Sequence, residues 1–134
     1  MENQMLVVED DPLDQFLIRV ALEKAGLDEI ATFSSDAESA IKVLDEGYRP
    51  NLIVTDLRMP GMGGIGLLSM LKNDDRYRSI PAVVFSTSSE NEDIVSAYER
   101  FANSYIVKPH SASGYERFAI RLRDYWLEQN QLPN

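Results

Sequence analysis

The sequence contains no cysteine and a single histidine, His110. The absence of cysteine excludes disulfide bonds, thiol nucleophiles and thiolate metal sites, and it is typical of a protein in a reducing compartment. Long apolar runs are also missing: the first one, Met5 to Val8, has only four members, and no basic segment precedes it. Neither a signal peptide nor a membrane span is therefore predicted, and the cytoplasm is the expected location.

Positive charge is scarce as well. The 134 residues include 13 lysines and arginines against 22 aspartates and glutamates, a formal net charge of −9. Because such a surface repels phosphate backbones, we expect no binding to nucleic acid. One domain is predicted over 1–134, with its core at about 4–127. Too few residues follow the last predicted helix to form an output domain, so none is expected.

Five short strand patterns alternate with five helical patterns. Four of the strands are continuous apolar runs, which are typical of strands buried on both faces of a parallel sheet. Strict alternation with short crossovers favours an α/β fold, a doubly wound five-stranded parallel sheet with helices on both faces. The predicted strands are Met5–Val8, Glu29–Phe33, Leu52–Val54, Pro81–Ser86 and Ser104–Val107.

Local signals set the predicted helix boundaries. Asp11 is expected to be the N-cap of a first helix that starts at Pro12. Capping boxes at Ser35 and Ser89 predict the starts of the second and fourth helices, and the last helix is expected near Ser113. The apolar stripe predicted for the first helix is Leu13, Phe16, Leu17, Val20 and Ala21.

Polar side chains follow four of the five predicted strands. The carboxyl ends of parallel strands lie on one edge of the sheet, where open α/β sheets bind ligands. Each residue also has an ordinary structural explanation as a helix cap or ion-pair partner, but their joint occurrence at one edge favours a site. The residues are Glu9, Asp10, Asp56, Ser86, Thr87 and Lys108.

The residue types at this edge suggest phosphoryl chemistry. Crowded carboxylates repel one another, and a hard divalent cation would relieve that repulsion. With only oxygen ligands available, Mg²⁺ or Mn²⁺ is expected rather than Zn²⁺. The ammonium of Lys108 and the hydroxyl of Ser86 would stabilise phosphoryl oxygens. Because Asp56 follows the central strand between the acid pair and these groups, we expect it to form an acyl phosphate.

The same stretches resemble the receiver domains of response regulators, over about residues 4–127. The resembling motifs are Val7–Asp10, Asp56–Pro60, Pro81–Ser86 and Tyr105–Pro109. The resemblance implies the flavodoxin-like fold of the chemotaxis regulator, with strand order 2-1-3-4-5. It also implies a signalling phosphoacceptor rather than an enzyme. Such a protein takes its phosphoryl group from a histidine kinase or a phosphotransfer protein and loses it by slow autodephosphorylation.

The resemblance further assigns a role to each residue at the metal and phosphoryl sites. Asp56 is the implied phosphoacceptor. The implied metal ligands are Asp10, Asp56, the backbone carbonyl of Arg58 and, through water, Glu9. The ammonium of Lys108 and the hydroxyl of Ser86 are the implied partners of the phosphoryl oxygens.

In the family, phosphorylation is coupled to a protein-interaction surface. Ser86 moves toward the phosphoryl group, and the aromatic residue at the position of Tyr105 then turns inward. This movement links an added charge of about −1.5 to −2 to the face formed by the fourth helix, the fifth strand and the fifth helix.

The second half of the chain resembles more narrowly the small stand-alone regulators that are paired with bacterial phytochrome kinases. The resembling stretches are Ser86–Tyr98, Asn103–Pro109 and Tyr125–Glu128. This implies a phytochrome histidine kinase as partner and a homodimer through the face just described. Tyr125 and Trp126 either close the core or form the dimer contact.

Some residues near the predicted site differ from the family pattern or flank it. Gly63 stands where many receivers have an acid, which predicts a more mobile loop. Thr87 is larger than the usual residue and is expected to narrow access to the phosphoryl group. Arg58 and Ser88 lie where side chains commonly flank the hydrolytic water, so we expect them to tune the lifetime of the phosphorylated state.

Two other functions fit part of the pattern. A magnesium-dependent phosphohydrolase with an aspartyl nucleophile usually has a second acid two residues after it, but here that residue is Arg58. An adaptor that works without phosphorylation needs only the fold, whereas this chain has Asp10, Asp56, Ser86 and Lys108 together. The receiver function therefore ranks first.

Overall fold

Residues 3–133, which the computed structural model describes, form a five-stranded parallel sheet in the order β2-β1-β3-β4-β5. This order confirms the predicted doubly wound, flavodoxin-like α/β fold. The strands are β1 Met5–Val8, β2 Ala31–Ser34, β3 Leu52–Thr55, β4 Ala82–Ser86 and β5 Ser104–Val107. The helices are α1 Pro12–Lys24, α2 Ala37–Asp45, α3 Gly63–Asn73, α4 Asn91–Glu99 and α5 Ala112–Arg121.

Alternate residues of the central strands face opposite layers of helices. In β1, Met5 and Val7 pack against α1 and α5, whereas Leu6 and Val8 pack against α2 and α3. In β4, Val84 packs on the side of α3 and α4. Because both faces of the sheet are covered, the central strands are apolar except at the carboxyl ends of β3 and β4, where Thr55 and Ser86 lie.

The elements begin at the predicted residues or within two residues of them, and the main differences have local causes. Residues Asp28–Ile30 form a 3-10 turn, so β2 begins at Ala31 and not at Glu29. The N-cap of α2 is Asp36, whose carboxylate accepts from the N–H of Ser39 at 2.7 Å, so the capping box predicted at Ser35 is wrong. A carboxylate is the stronger acceptor and replaces the neighbouring hydroxyl.

Of the other predicted helix starts, those of α1 and α5 agree with the structure and that of α4 does not. Asp11 caps α1 as predicted, because its side chain accepts from the N–H of Leu13 at 2.9 Å. The N-cap of α4 is Glu90, which makes no side-chain cap bond, so the prediction at Ser89 is wrong. Helix α5 is capped by Ser111, close to the expected start.

The apolar stripe predicted for α1 is partly wrong. Leu13 and Phe16 are 64% and 60% exposed, and the buried residues of this helix are Ile18, Ala21 and Leu22. The buried face is therefore rotated relative to the predicted one. This rotation turns Asp14, which is one turn before Ile18, toward the sheet edge.

The last helix continues from α5 into a π-helical segment, Leu122–Gln129. Trp126 packs against the core layer formed by α1 and α5, whereas Tyr125 is 53% exposed. The sequence leaves two alternatives for these aromatic residues, closing the core or forming a dimer contact. Trp126 closes the core, and Tyr125 is exposed and available for a contact. No helix within residues 3–133 combines the length and apolar character needed to cross a bilayer.

Candidate functional site

The predicted site residues lie at the carboxyl ends of the strands, on one edge of the sheet. Backbone hydrogen bonds extend the ladder past the strands: the N–H of Asp56 donates to the carbonyl of Val8 at 3.0 Å, and the N–H of Lys108 donates to the carbonyl of Ser86 at 2.7 Å. The position of each side chain is therefore fixed by the sheet. Glu9, Asp56, Ser86 and Lys108 are all buried.

Lys108 lies at the centre of this edge. Its ammonium donates to Glu9 Oε1 at 2.7 Å, to Asp14 Oδ2 at 2.8 Å and to Asp56 Oδ2 at 2.9 Å. The lysine side chain is only 1% exposed. The sequence predicts that Glu9, Asp56 and Lys108 lie together, and the structure shows that they are in contact. The sequence does not predict Asp14.

The second oxygen of each of these carboxylates is also occupied. Glu9 Oε2 accepts from the N–H of Asp11 at 3.1 Å, and Asp56 Oδ1 accepts from the N–H of Leu57 at 2.6 Å. Asp14 Oδ1 accepts from the hydroxyl of Tyr115 at 3.1 Å. All three acids are thereby held in fixed orientations around the ammonium.

This arrangement shifts the ionisation of the buried groups. Burial raises the pKa of Glu9 to about 7, with Asp56 adding to the rise and the hydrogen bond from Lys108 opposing it. Burial works against the charged form of Lys108, but hydrogen bonds to Asp14, Glu9 and Asp56 raise its pKa above the ordinary value. Lys108 therefore stays an ammonium, and burial favours the protonated form of Glu9.

The donor set fits a divalent cation. Carboxylate oxygens of Glu9, Asp14 and Asp56 lie within 4.8 Å of one another. Each carboxylate oxygen has a lone pair beyond the one that accepts the hydrogen bonds above, and oxygen donors suit Mg²⁺ or Mn²⁺. Within residues 3–133, Asp10 is half-buried and lies outside this group of three, so its role as a ligand stays a prediction.

Ser86 and Tyr105 are connected through Ser88. The Oγ of Ser86 accepts from the N–H of Ser88 at 3.2 Å, and the hydroxyl of Tyr105 donates to the carbonyl of Ser88 at 2.9 Å. The two predicted switch residues thus share one backbone segment, although their roles stay predictions. Thr87, between Ser86 and Ser88 in sequence, is exposed.

Backbone conformation accounts for the glycines that follow Asp56. Gly63 has a φ of +71°, a left-handed conformation that favours glycine. A Cβ on Gly64 would lie 2.2 Å from the carbonyl oxygen of Asp56, so only glycine lets α3 approach the site this closely. The absence of an acid at Gly63 thus has a conformational reason, and the predicted mobility of the loop stays a prediction.

Asp14 is the site residue that sequence reasoning misses. The available signal is its spacing, since Ile18 and Ala21 follow it at four and seven positions and both are buried. An acid on the buried face of an amphipathic helix, in the turn next to a strand end, indicates a side chain that points into the edge of the sheet.

This fold and the acid–lysine cluster define a response-regulator receiver domain. The sequence matches the Response regulator receiver domain family over residues 5–116, and the chain belongs to that family.

Relatives of known name agree with this assignment. The chain is 34% identical to the probable methanogenesis regulatory protein FilR2 of Methanothrix harundinacea, over 96% of this chain and 86% of that protein. It is 29% identical to the response regulator Rcp1 of Synechocystis, over 96% of this chain and 92% of that protein.

Solved structures show the same similarity in three dimensions. The crystal structure of the phosphorylated cyanobacterial phytochrome response regulator RcpA has a TM-score of 0.93 and 29% identity, with 100% of each chain covered. A crystal structure of the Mn²⁺-bound form of Rcp1 has a TM-score of 0.89 and 28% identity, covering 99% of this chain and 100% of that chain. The predicted resemblance to phytochrome response regulators is thereby confirmed.

Proposed function

We propose that this receiver domain accepts a phosphoryl group on Asp56 from a histidine kinase and passes the change to a protein-interaction surface. The observation that carries the proposal is the contact of the Lys108 ammonium with Asp56 Oδ2 at 2.9 Å, in a buried cluster at the carboxyl edge of the sheet. A carboxylate nucleophile with a fixed cation beside it is what transfer of a charged phosphoryl group requires.

The chemical step is a displacement at phosphorus. A carboxylate oxygen of Asp56 forms the new P–O bond, while the P–N bond of a phosphohistidine breaks and its electron pair stays on the imidazole, which takes up a proton. The Lys108 ammonium then pairs with a phosphoryl oxygen instead of the bare carboxylate, and the hydroxyl of Ser86 donates to another. A bound Mg²⁺ supplies neutralising charge to the phosphoryl oxygens.

We propose Asp10, Asp56, the Arg58 carbonyl and, through water, Glu9 as the metal ligands. The described geometry supports a cation site through the oxygens of Glu9, Asp14 and Asp56 that lie within 4.8 Å of one another. Mg²⁺ needs only one or two carboxylates besides water and phosphate oxygens, so the acids at this edge suffice.

The proposed output surface is the face of α4, β5 and α5. It exposes apolar side chains on adjacent elements, including Val95, Tyr98 and Val107, and such patches mark protein contacts. Similarity to phytochrome regulators supports a phytochrome-type histidine kinase as donor, directly or through a phosphotransfer protein, and a homodimer through this face. Such a kinase would phosphorylate the protein in the cytoplasm.

The test of the proposal is the intact mass of wild type and Asp56→Asn after incubation with Mg²⁺ and acetyl phosphate. We expect one phosphoryl adduct on the wild type that requires metal, and none on the variant. An adduct on neither protein despite bound Mg²⁺ would support an adaptor that works without phosphorylation. Rapid consumption of acetyl phosphate without an adduct would support a phosphohydrolase.

A further inference from the structure

We infer that Asp14 and Tyr115 are positioning residues that hold Lys108 before phosphorylation and connect its position with helix α5. The inference rests on the proposed phosphorylation of Asp56 and adds a second connection out of the site. It concerns the layer of α1 and α5, on the opposite face of the sheet from α4.

The connection is a continuous series of contacts. Asp14 accepts from the Lys108 ammonium through Oδ2 at 2.8 Å and from the Tyr115 hydroxyl through Oδ1 at 3.1 Å. The side chain of Asp14 is 17% exposed, and Tyr115 is buried. One carboxylate in the first turn of α1 thus bridges the lysine after β5 and a tyrosine of α5.

Asp14 differs from the other two acids that bind Lys108. The second oxygens of Glu9 and Asp56 are held by backbone N–H groups of their own loops. The second oxygen of Asp14 is held by a side chain of another helix. A change in the partner of Asp14 is therefore transmitted to α5, whereas the other two acids are anchored where they are.

Packing restricts how Tyr115 can respond. Its ring contacts that of Phe85 edge-on, with centroids 5.5 Å apart, and Phe85 stacks on Phe118 at 3.9 Å. The ammonium of Lys108 lies 5.9 Å from the centroid of the Phe85 ring. Because this aromatic cluster is close-packed, Tyr115 cannot follow Asp14 without a shift of α5.

Phosphorylation changes the partner of Asp14. When the Lys108 ammonium pairs with a phosphoryl oxygen, Asp14 loses part of its cation and stands near added negative charge. The uncharged hydroxyl of Tyr115 is then the remaining side-chain hydrogen-bond donor to Asp14, so the Asp14–Tyr115 contact tightens or moves away from the site. Either change alters the packing of α5 and of Trp126, which lies in the segment that follows it and packs against the same layer.

Trp126 is the only tryptophan in the sequence and reports on this layer. The test compares four proteins: wild type, Asp14→Asn, Tyr115→Phe and Tyr48→Phe. Each is phosphorylated with acetyl phosphate and Mg²⁺, and adduct formation is followed by intact mass. Fluorescence excited at 295 nm is recorded before and after. Tyr48→Phe is the matched control, because it removes a tyrosine hydroxyl that donates to the carbonyl of Met5 at 3.2 Å, far from the site.

We expect the phosphorylation-dependent change of Trp126 fluorescence in the wild type and the control, and less than half of it in Asp14→Asn and Tyr115→Phe. At saturating Mg²⁺, Asp14→Asn is also expected to be phosphorylated about threefold faster, because one acid no longer competes for Lys108 or repels the anionic donor. Tyr115→Phe retains the charge of Asp14 and keeps the test valid if Asp14→Asn folds poorly.

Two results would overturn the inference while leaving the proposed function intact. One is an equal fluorescence change, or none, in all four phosphorylated proteins. The other is a phosphorylation rate of Asp14→Asn, measured at saturating Mg²⁺, equal to or below that of the wild type. Absence of an adduct on the wild type would instead overturn the proposed function, and the inference with it.

Discussion

Arg58 and Asp93 form an ion pair, with 2.6 Å between Nη2 and Oδ2, that joins the loop after β3 to the first turn of α4. The hydroxyl of Ser88 donates to the same oxygen of Asp93 at 2.5 Å. The arginine side chain is 68% exposed, and exposed pairs contribute little to stability. The importance of Asp93 is therefore geometric: it binds both side chains that we expect to tune the phosphoryl lifetime.

Asp93→Ala is expected to slow dephosphorylation by about threefold, an activation-energy change below about 1 kcal/mol. Arg58, released from Asp93, can pair with the phosphoryl group and restrict the approach of water. The measurement is the decay of the phosphoryl adduct after donor removal. In the double variant Arg58→Ala/Asp93→Ala the effect should disappear, and equal decay in Asp93→Ala and wild type contradicts this prediction.

The affinity for Mg²⁺ is expected to rise with pH and to level off above neutrality. Because the pKa of Glu9 is raised to about 7, a proton occupies this acid at lower pH, and we expect metal binding nearby to release it. Titration calorimetry in buffers of different ionisation enthalpy measures the released proton. Glu9→Gln should weaken the pH dependence, and a wild-type affinity that is constant between about pH 5.5 and 8 would rule out this role.

Glu9 is also expected to make the metal-free protein less stable at high pH. Its folded pKa of about 7 lies above its ordinary value of 4.5, so the folded state binds the proton more tightly than the unfolded state. This stabilisation is complete below pH 4.5 and is lost as the pH rises through 7. Glu9→Gln should therefore raise the melting temperature more at pH 8 than at pH 5. An equal increase at both would show that Glu9 does not titrate in this range.

Gly64→Ala is expected to destabilise the protein by about 1–3 kcal/mol. The added Cβ would lie 2.2 Å from the carbonyl oxygen of Asp56 and 2.7 Å from the Cα of Leu57, and neither backbone atom can yield easily. Gly66→Ala in the same helix is the control, since its Cβ meets only the flexible side chain of Met62. Urea unfolding compares the two, and equal stability of both variants would contradict the prediction.

Phe101→Gly is expected to stabilise the fold by about 1 kcal/mol. Phe101 directly follows Arg100, the C-cap of α4. Its φ of 67° costs free energy for a residue with a Cβ, and it is 69% exposed. Phe101→Ala removes the ring but keeps the Cβ and should bring no such gain. If both variants unfold at the same urea concentration, the backbone conformation is not the source of the effect.

The sheet and most of the site follow from the sequence because burial and topology leave few choices. Apolar runs such as Leu52–Val54 are typical of a strand covered on both faces, and parallel connections then bring Asp56 and Lys108 to one edge without any knowledge of contacts. The meeting of Glu9, Asp56 and Lys108 is therefore predictable from the residues, whereas the order of the strands is predicted from the resemblance to receiver domains.

The missed features depend on differences too small for a residue pattern to show. A hydroxyl at Ser35 and a carboxylate at Asp36 both suit a helix cap, and only the backbone geometry selects between them. In α1, Leu13 and Phe16 are apolar yet exposed, so hydrophobicity alone gives the wrong rotation of the helix. The same error explains why Asp14 is not predicted, because Asp14 reaches the site only in the observed rotation of α1.

The buried ammonium among three acids makes the charge environment of the acceptor Asp56 insensitive to bulk salt. Lys108 is covalently attached and only 1% exposed, so it acts as a permanent counterion that bulk salt neither dilutes nor screens appreciably. The outer surface, with its net charge of −9, is subject to ordinary screening. A rise in ionic strength should thus alter how fast partners encounter this protein, while the charge balance at its acceptor carboxylate stays the same.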